Sequence, residues 1–586
     1  MGNKNKNNKP KSANNSTRKP KNKAQQKTPK QASKAQAAAK AAAPAKTVRT
    51  IEKRNKFESV VVNIIALFLF LAFGYLAIMS FLQTSYIDPN SYSSEVILYQ
   101  NDNLALNLLF TAIFFLIAFA CRRKFDFFAK VNIKLMEIGI AVWAAVIGFI
   151  WIASVTSIPA ADSQNIFEAA TKAAQNDYTP FYDGAKFYNK DFYSGYSYFN
   201  FYPFQLGFVL ISEIVYRIFG TANAMPIQII NVLCVASAYF ALARITRLIF
   251  KRKSVEFLVI VLLAGCLQPI LFCTFAYGNI IGMTAAIWAS MMLIKYFQTE
   301  KYIWLAPCGV LLVLATLAKY NNLIYLVAFV IVLIVHTVKT KKWQSVAFAL
   351  ALCIASVGAT NLVILSYESR AGVQLESGMS QVLYLDMGLT ESYMAPGWFT
   401  KTGIDTYIKS GLDIDAAEKM AWNDIDNKLD KFGNDLGYTF DFFGKKILSQ
   451  WNEPEFESIW VSKVKNHIND VDSGIGKAVY EGSTGQLLEL HFNLYIQIVY
   501  LLFAIGIYVM FINKKLNIET VLLPLVALGG FGYHLLFEGK SQYVLTYIPL
   551  LLPVAAYALH TILMSDYTHI KELAAKINKK ADKKSA

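Results

Sequence analysis

Apolar residues in this chain come in long unbroken runs, not in the short alternating patterns of soluble strands or the one-faced stripes of soluble helices. The first run, Ser59 to Leu82, holds 24 residues and no charge. As a helix it would be about 36 Å long, enough to cross a bilayer with some tilt. Further runs lie near 104–120, 135–157, 226–243, 255–275, 280–297, 303–318, 322–338, 343–366, 492–512, 520–536 and 543–563. The pattern predicts an all-α polytopic membrane protein, a helical bundle of about twelve spans. An even number of spans puts both termini on one side.

One segment reads two ways. Residues 204–220 are apolar enough to cross, but a crossing there would turn the basic cluster Arg244, Arg247, Lys251, Arg252, Lys253 outward. Laid along the surface instead, with Glu213 and Arg217 paired one turn apart, the segment leaves that cluster on the same side as Lys339, Lys341, Lys342 and Lys514-Lys515. The excess of Lys and Arg in cytoplasmic loops favours the surface helix and a plasma-membrane protein with both termini in the cytoplasm. Two large extracellular loops then stand out, 158–225 and 367–490. The chain divides into a tail over 1–56, a two-span hairpin over 57–134, a transmembrane core over 135–366 that carries the first outer loop, the large loop domain over 367–490, C-terminal spans over 491–564 and a second basic tail over 565–586.

Composition sharpens this picture. Hydrophobic residues make up 55% of the 586 and charged residues 17%, below the quarter usual in soluble chains. The net charge of +17 is misleading: residues 1–56 hold 17 Lys/Arg and one acid, Glu52, and the remaining residues balance almost to zero. The basic character therefore belongs to a tail too poor in apolar residues to fold, suited to anionic lipid, and no nucleic-acid partner is implied. The six cysteines all lie in or beside apolar runs, so the outer loops are built without a disulfide framework.

The third span ends in Ile158-Pro-Ala-Ala-Asp162. A carboxylate just beyond a helix end can be desolvated enough to act as a base and still meet a polar substrate. Position alone equally fits a solvated loop aspartate or a cap for the polar helix that follows, near 164–176. The loop beyond it is unusual: 13 of the 27 residues from Tyr178 to Phe204 are Phe or Tyr. An interfacial aromatic belt needs fewer, which suggests faces for sugar rings or an isoprenoid groove. Trp398 and Trp451 fit core packing better than stacking on sugar, and Asp413 to Phe432 reads as a solvated amphipathic helix. His336, His467, His491, His534, His560 and His569 have no metal-ligand spacing, and no Gly-rich phosphate loop or Ser-His-Asp order is present. No cofactor and no metal ligand is evident, although an aspartate and a phosphate together can recruit a divalent ion.

The succession of Pro-x-x-Asp at the end of an early span, a polar helix, an aromatic-Pro loop end (Tyr202-Pro203-Phe204), an amphipathic helix ending in Phe219-Gly220 and a span ending in basic residues resembles the GT-C membrane glycosyltransferases. It is most similar to the family 39 type, which includes protein O-mannosyltransferases and aminoarabinose transferases. Leu317-Ala-Lys-Tyr-Asn-Asn322, Met387-Gly-Leu389 and Phe537-Glu-Gly-Lys-Ser-Gln-Tyr543 look like a Gram-positive branch of such proteins. The resemblance implies a GT-C-like bundle, with the catalytic aspartate of the first outer loop at Asp162. That family often reads Asp-Glu here and His-Pro-Pro at the loop end; this chain reads Asp162-Ser163 and Tyr202-Pro203-Phe204.

The resemblance further implies a sugar donor linked to undecaprenyl phosphate, a glycan, lipid or protein acceptor with a free hydroxyl, the bilayer itself, and room for a membrane partner that makes the donor. A departing phosphate calls for a cation. The basic residues beside outer span ends are Lys319, Arg370 and Lys540, the last within Glu538-Gly-Lys540-Ser-Gln-Tyr543, so the candidate substrate-binding set is Lys540, Arg370, Lys319, Glu538, Tyr543 and Tyr202. A transporter or flippase of lipid-linked saccharide is the rival from another class, and would place charges inside several spans. A polysaccharide polymerase or ligase is a third reading, disfavoured by a large loop that is net acidic.

Overall fold

The computed structural model describes residues 55–91, 94–122, 132–155, 157–186, 188–465 and 474–564. The two basic tails read from the sequence lie outside the described residues, apart from the last residues before the first span. The fold is predominantly helical, as the hydrophobic runs require. Every one of those runs forms helix.

Among the described residues nine helices are long and apolar enough to cross a membrane, the first and last in sequence being Lys56–Leu82 and Ile518–Leu536. A tenth candidate, Lys253–Gly265 with Gln268–Thr274, is bent by 46°. Pro269 opens its second half, and a proline there lacks the N–H that would continue the helix. Two further apolar helices, Tyr302–Ala318 and Ile548–Met564, are shorter. Helix Asn279–Thr299 is the most enclosed, with 83% of its apolar window buried, whereas Leu104–Arg122 keeps 11% and turns its leucines outward. The first is the centre of the bundle and the second is its rim.

The segment that could be read two ways forms helix Leu206–Phe219, closed by Gly220 at φ 91°. Its 14 residues reach only about 21 Å, too short for a hydrocarbon core. It packs on helix Asp162–Ala174 and against Tyr302–Ala318 and Gln344–Ala371. Glu213 and Arg217 do pair, at 2.9 Å. Glu213 is also fully enclosed and takes Arg370 at 2.8 Å and the Tyr367 hydroxyl at 2.5 Å, so it is the hub of a buried network and not a polar edge.

Buried ion pairs tie one end of the bundle together. Glu137, near the start of Ile133–Ser154, takes Arg247 at 2.8 Å and Arg244 at 3.3 Å, near the end of Met225–Phe250. Arg247 also holds Glu256 at 2.9 Å. Lys339 meets Glu58, and Arg252 meets His560. Two cations of the cluster used to orient the chain are thus neutralised by structural partners, and Lys251, Arg252 and Lys253 carry the rest of its charge. The opposite end of the bundle holds the long loops.

Those loops pack onto one another. The helix read over Asp413 to Phe432 is Ile414–Asn434, started by the Asp413 side chain accepting from the Ala416 N–H at 3.0 Å. Trp398 and Trp451 are fully buried, as core packing requires. A two-stranded antiparallel ribbon, Gln83–Ile87 with Ile97–Asn101, joins the first two long helices and departs from a purely helical reading. It is stitched to the large loop: the Ser85 hydroxyl donates to the Leu448 carbonyl at 2.7 Å, and the Ile97 N–H to the Met394 carbonyl at 2.9 Å.

Candidate active site

Between the loops and the span ends lies a cavity of about 470 Å³. Asp162, Tyr202, Lys319, Glu538, Lys540 and Tyr543 all line it, although they come from four separate stretches of chain. Arg370 does not. Its guanidinium is committed to Glu213 and stacks on the ring of Tyr367, 4.1 Å from the centroid. The expectation that it binds donor is corrected by that geometry: a long side chain at a helix end was equally able to turn back onto its own bundle.

Asp162 is the first residue of helix Asp162–Ala174, not a cap for a later start. Positive partial charge at a helix N-terminus favours its carboxylate. The residue before it, Ala161, is held at φ 51°, ψ −132°, a conformation an L-residue rarely adopts. The turn is locked locally. The Ser163 hydroxyl accepts from the Ala160 N–H at 3.0 Å and donates to the Ala160 carbonyl at 2.8 Å. Strain of this kind keeps Asp162 exposed on the cavity wall, not folded back onto its helix.

Lys319 sits where helix Leu305–Ala318 breaks, in extended backbone before the turn Tyr320–Asn322. Asn322 seals the break, donating through its amide to the carbonyls of Ala315 at 2.9 Å and Lys319 at 3.1 Å. Gly278 makes room for it, since a side chain there would strike the Ala318 carbonyl. The segment Leu317-Ala-Lys-Tyr-Asn-Asn322 is therefore a device for presenting one lysine. Its ammonium rests over the ring of Tyr277, 3.9 Å from the centroid, and near that of Tyr543 at 5.5 Å. Ring faces hold it in place of a carboxylate. Burial lowers its pKa to about 8, against the opposing pull of Asp162 and Glu538.

Lys540 is held differently. Its ammonium lies 3.2 Å from the Glu95 carboxylate. Burial works against its charge, but Glu95, Glu457 and Glu538 outweigh that and hold its pKa above the ordinary lysine value. Glu538 itself is pushed up by burial to about 6, with Lys540 and Lys319 acting against the rise. Glu457 is enclosed and raised to about 8. Its Oε1 accepts from the Ser541 hydroxyl at 3.1 Å.

The short turn that carries Glu538 and Lys540 is fixed from behind by Lys446, which is fully buried. Its ammonium donates to the carbonyls of Gly388 at 2.5 Å, Phe537 at 3.0 Å and Leu536 at 3.4 Å, three acceptors for three N–H groups. Gly397, at φ 70°, lies against the lysine stem and leaves no space for a side chain. The Glu538 N–H donates to the Tyr384 carbonyl and the Gly539 N–H to that of Gly397. Three segments distant in sequence, around Gly388, Gly397 and Phe537, thus converge on one buried cation.

The aromatic loop divides between two roles. Phe181, Tyr198, Phe199 and Phe201 are buried among the loop's own rings, a loop core and not a substrate surface. Tyr188, Phe192, Tyr193, Tyr202 and Phe204 reach the cavity. Tyr384 and Glu95 also line it and were not picked out from sequence. Tyr384 stood three residues before a noted segment; Glu95 lay in what read as a plain connection. Among the described residues no group of three His, Cys, Asp or Glu side chains is placed to hold a metal ion.

Comparison with known proteins gives this geometry a relative. Residues 206–361 match the family model described as dolichyl-phosphate-mannose-protein mannosyltransferase. The match supports a GT-C membrane glycosyltransferase. It begins with helix Leu206–Phe219, includes Lys319, and stops short of Asp162 on one side and of residues 538–543 on the other. Two solved structures are similar, both of ArnT from Cupriavidus metallidurans. One is bound to undecaprenyl phosphate, at 11% identity over 73% of this chain and 77% of that one, with a TM-score of 0.30. The other is in the apo state, at 12% identity over 71% and 76%, with a TM-score of 0.29. At that level of superposition we draw no residue correspondence from them. No protein of curated function matches the chain.

Proposed function

We propose that this protein transfers a sugar from a polyprenyl-phosphate donor to a hydroxyl of a cell-surface acceptor at the outer face of the plasma membrane. The observation that carries the reading is the opposition, across one cavity, of the exposed Asp162 carboxylate and the Lys319 ammonium. Asp162 accepts the proton of the acceptor hydroxyl as its oxygen attacks the anomeric carbon. The bond to the phosphate oxygen breaks, and that oxygen leaves as an anion beside Lys319, with Lys540 at the same wall. A single displacement inverts the anomeric centre. The cavity is close to the size of a sugar-binding site and is walled by tyrosines, which supply ring faces and hydroxyls to a sugar. The ArnT structure bound to undecaprenyl phosphate and the mannosyltransferase family model are in keeping with a lipid-linked donor. Glycan, lipid and protein acceptors all carry the required hydroxyl. The rival transport reading wants charge at the middle of the spans; the buried ion pairs described above sit at helix ends.

The test is Asp162→Asn, which keeps shape and removes the proton acceptor. Sugar transfer in membranes supplied with the lipid-linked donor that accumulates when the protein is removed should fall by about 10²–10⁴-fold. Undecaprenyl phosphate binding and expression should hold. Asp177→Asn is the control, since Asp177 accepts from the Thr179 N–H at 2.9 Å and stands outside the cavity. Normal transfer by Asp162→Asn would remove the base from the mechanism.

A further inference from the structure

The connection between the two ribbon strands reaches the cavity. Ser94 and Glu95 line it. Glu95 stands just outside the ladder, which ends at Ile87 opposite Ile97 and is prolonged by the Asp88 N–H donating to the Val96 carbonyl at 2.8 Å. Ile97 anchors the ribbon in a small core with Met394, Ala395 and Trp398. The backbone is therefore fixed at the residues that follow Glu95, while its side chain can turn about its own bonds without breaking a strand hydrogen bond.

We propose that Glu95 is a resident counter-ion that occupies the place of the donor phosphate on Lys540 and is displaced when the donor binds. The inference rests on the donor reading given above and adds to it a residue from outside the matched core. The argument is one of charge. The Lys540 and Glu95 side chains are 13% and 15% exposed, so the ammonium is too enclosed to stand without an anion. Lys319 has ring faces for company, and Lys540 has a carboxylate. A phosphate oxygen and the Glu95 carboxylate compete for the same N–H donors. Exchange of one for the other keeps Lys540 compensated with and without donor. The first hairpin of the chain, Lys56–Leu82 with Leu104–Arg122, thereby becomes part of the site.

Competition predicts a gain of affinity on removing a charge, which a merely structural residue would not produce. Purified full-length protein in nanodiscs is titrated with undecaprenyl phosphate. Glu95→Gln should bind it about tenfold more tightly than the wild type, the size of one released partly buried ion pair. Lys540→Gln should bind it more weakly, and Glu95→Gln should add nothing in the Lys540→Gln background. Thermal melts give a second readout. Glu95→Gln should melt lower without lipid and gain a larger shift on adding it. Should Glu95→Gln fold poorly, Glu95→Ser carries the same expectation. Wild-type binding with equal or weaker binding by both Glu95 variants overturns the counter-ion role alone. A wild-type protein that binds no undecaprenyl phosphate overturns the donor reading and this inference with it.

Discussion

Lys319 and Lys540 share a wall and differ in what compensates them, and the difference sets how each responds to pH. Lys540 is held charged by carboxylates, whereas Lys319 faces aromatic rings and is lowered by burial to about 8. A lysine grips phosphate only as the ammonium, the form present below its pKa. Undecaprenyl phosphate binding should therefore weaken as pH rises through about 8, by at most about tenfold per unit. The lipid phosphate can only gain negative charge between pH 7 and 9, so it does not contribute to the fall. Lys319→Arg keeps its charge at every pH in that range and should flatten the curve. A wild-type curve that is flat from pH 7 to 9 would show that the phosphate is carried elsewhere.

Among elements, helix Leu206–Phe219 and the end of Gln344–Ala371 are joined by Glu213, and that junction explains Arg370. Removing the arginine leaves Glu213 with Arg217 and the Tyr367 hydroxyl, so the cost is partial. Because Arg370 is about a third exposed, Arg370→Ala should cost about 1 kcal/mol, read as a lower melting temperature. Affinity for undecaprenyl phosphate per folded molecule should stay within about twofold, the scale of an unperturbed site. Normal melting with lost binding would return Arg370 to the donor site. The same element shows what sequence could and could not say. The spans were legible because runs of apolar residues admit few other structures, whereas Asp162 stood out only through the family resemblance of its surroundings, since its position alone suits a solvated loop aspartate. Lys319, Glu538 and Lys540 followed from being charges beside outer span ends. The choice between Lys540 and Arg370 was not legible, because both are cations near an acid and only the distance to Glu213 or Glu95 separates them. Neither was Lys446, a lysine in the middle of an amphipathic helix, Leu436–Trp451, whose partners are three carbonyls rather than side chains. Backbone acceptors leave no sequence pattern. The ribbon escaped notice for a related reason: its five-residue strands are too short to show an alternating pattern beside two long apolar runs.

For the whole molecule, the contacts sort the chain into two ends without reference to a membrane. Glu58, Glu137, Arg247, Glu256, Lys339 and His560 gather at one end through their ion pairs and the Arg252 hydrogen bond, while Asp162, Lys319 and Lys540 meet in the cavity at the other. Helix after helix in the bundle runs from one set to the other, so a single labelled residue at each end fixes the orientation of all. The charges outside the ion pairs, Lys251, Lys253 and Lys514-Lys515 among them, lie at the first end, which the excess of Lys and Arg in cytoplasmic loops predicts to face the cytoplasm. The six native cysteines are unpaired and Cys121 is exposed, so labelling needs a cysteine-free background. In that background, cysteines at Asp191 and Asp426, both exposed in the outer loops, should react with an impermeant maleimide added to intact cells. Cysteines at Lys253 and Asn513 should react only after the membrane is opened. The reverse pattern would place the cavity in the cytoplasm, on the wrong side for an acceptor at the cell surface. Reaction of Asp191 and Lys253 from the same side would mean either that Met225–Phe250 fails to cross or that Leu206–Phe219 crosses as well. The bent pair would not be responsible, since it follows Lys253.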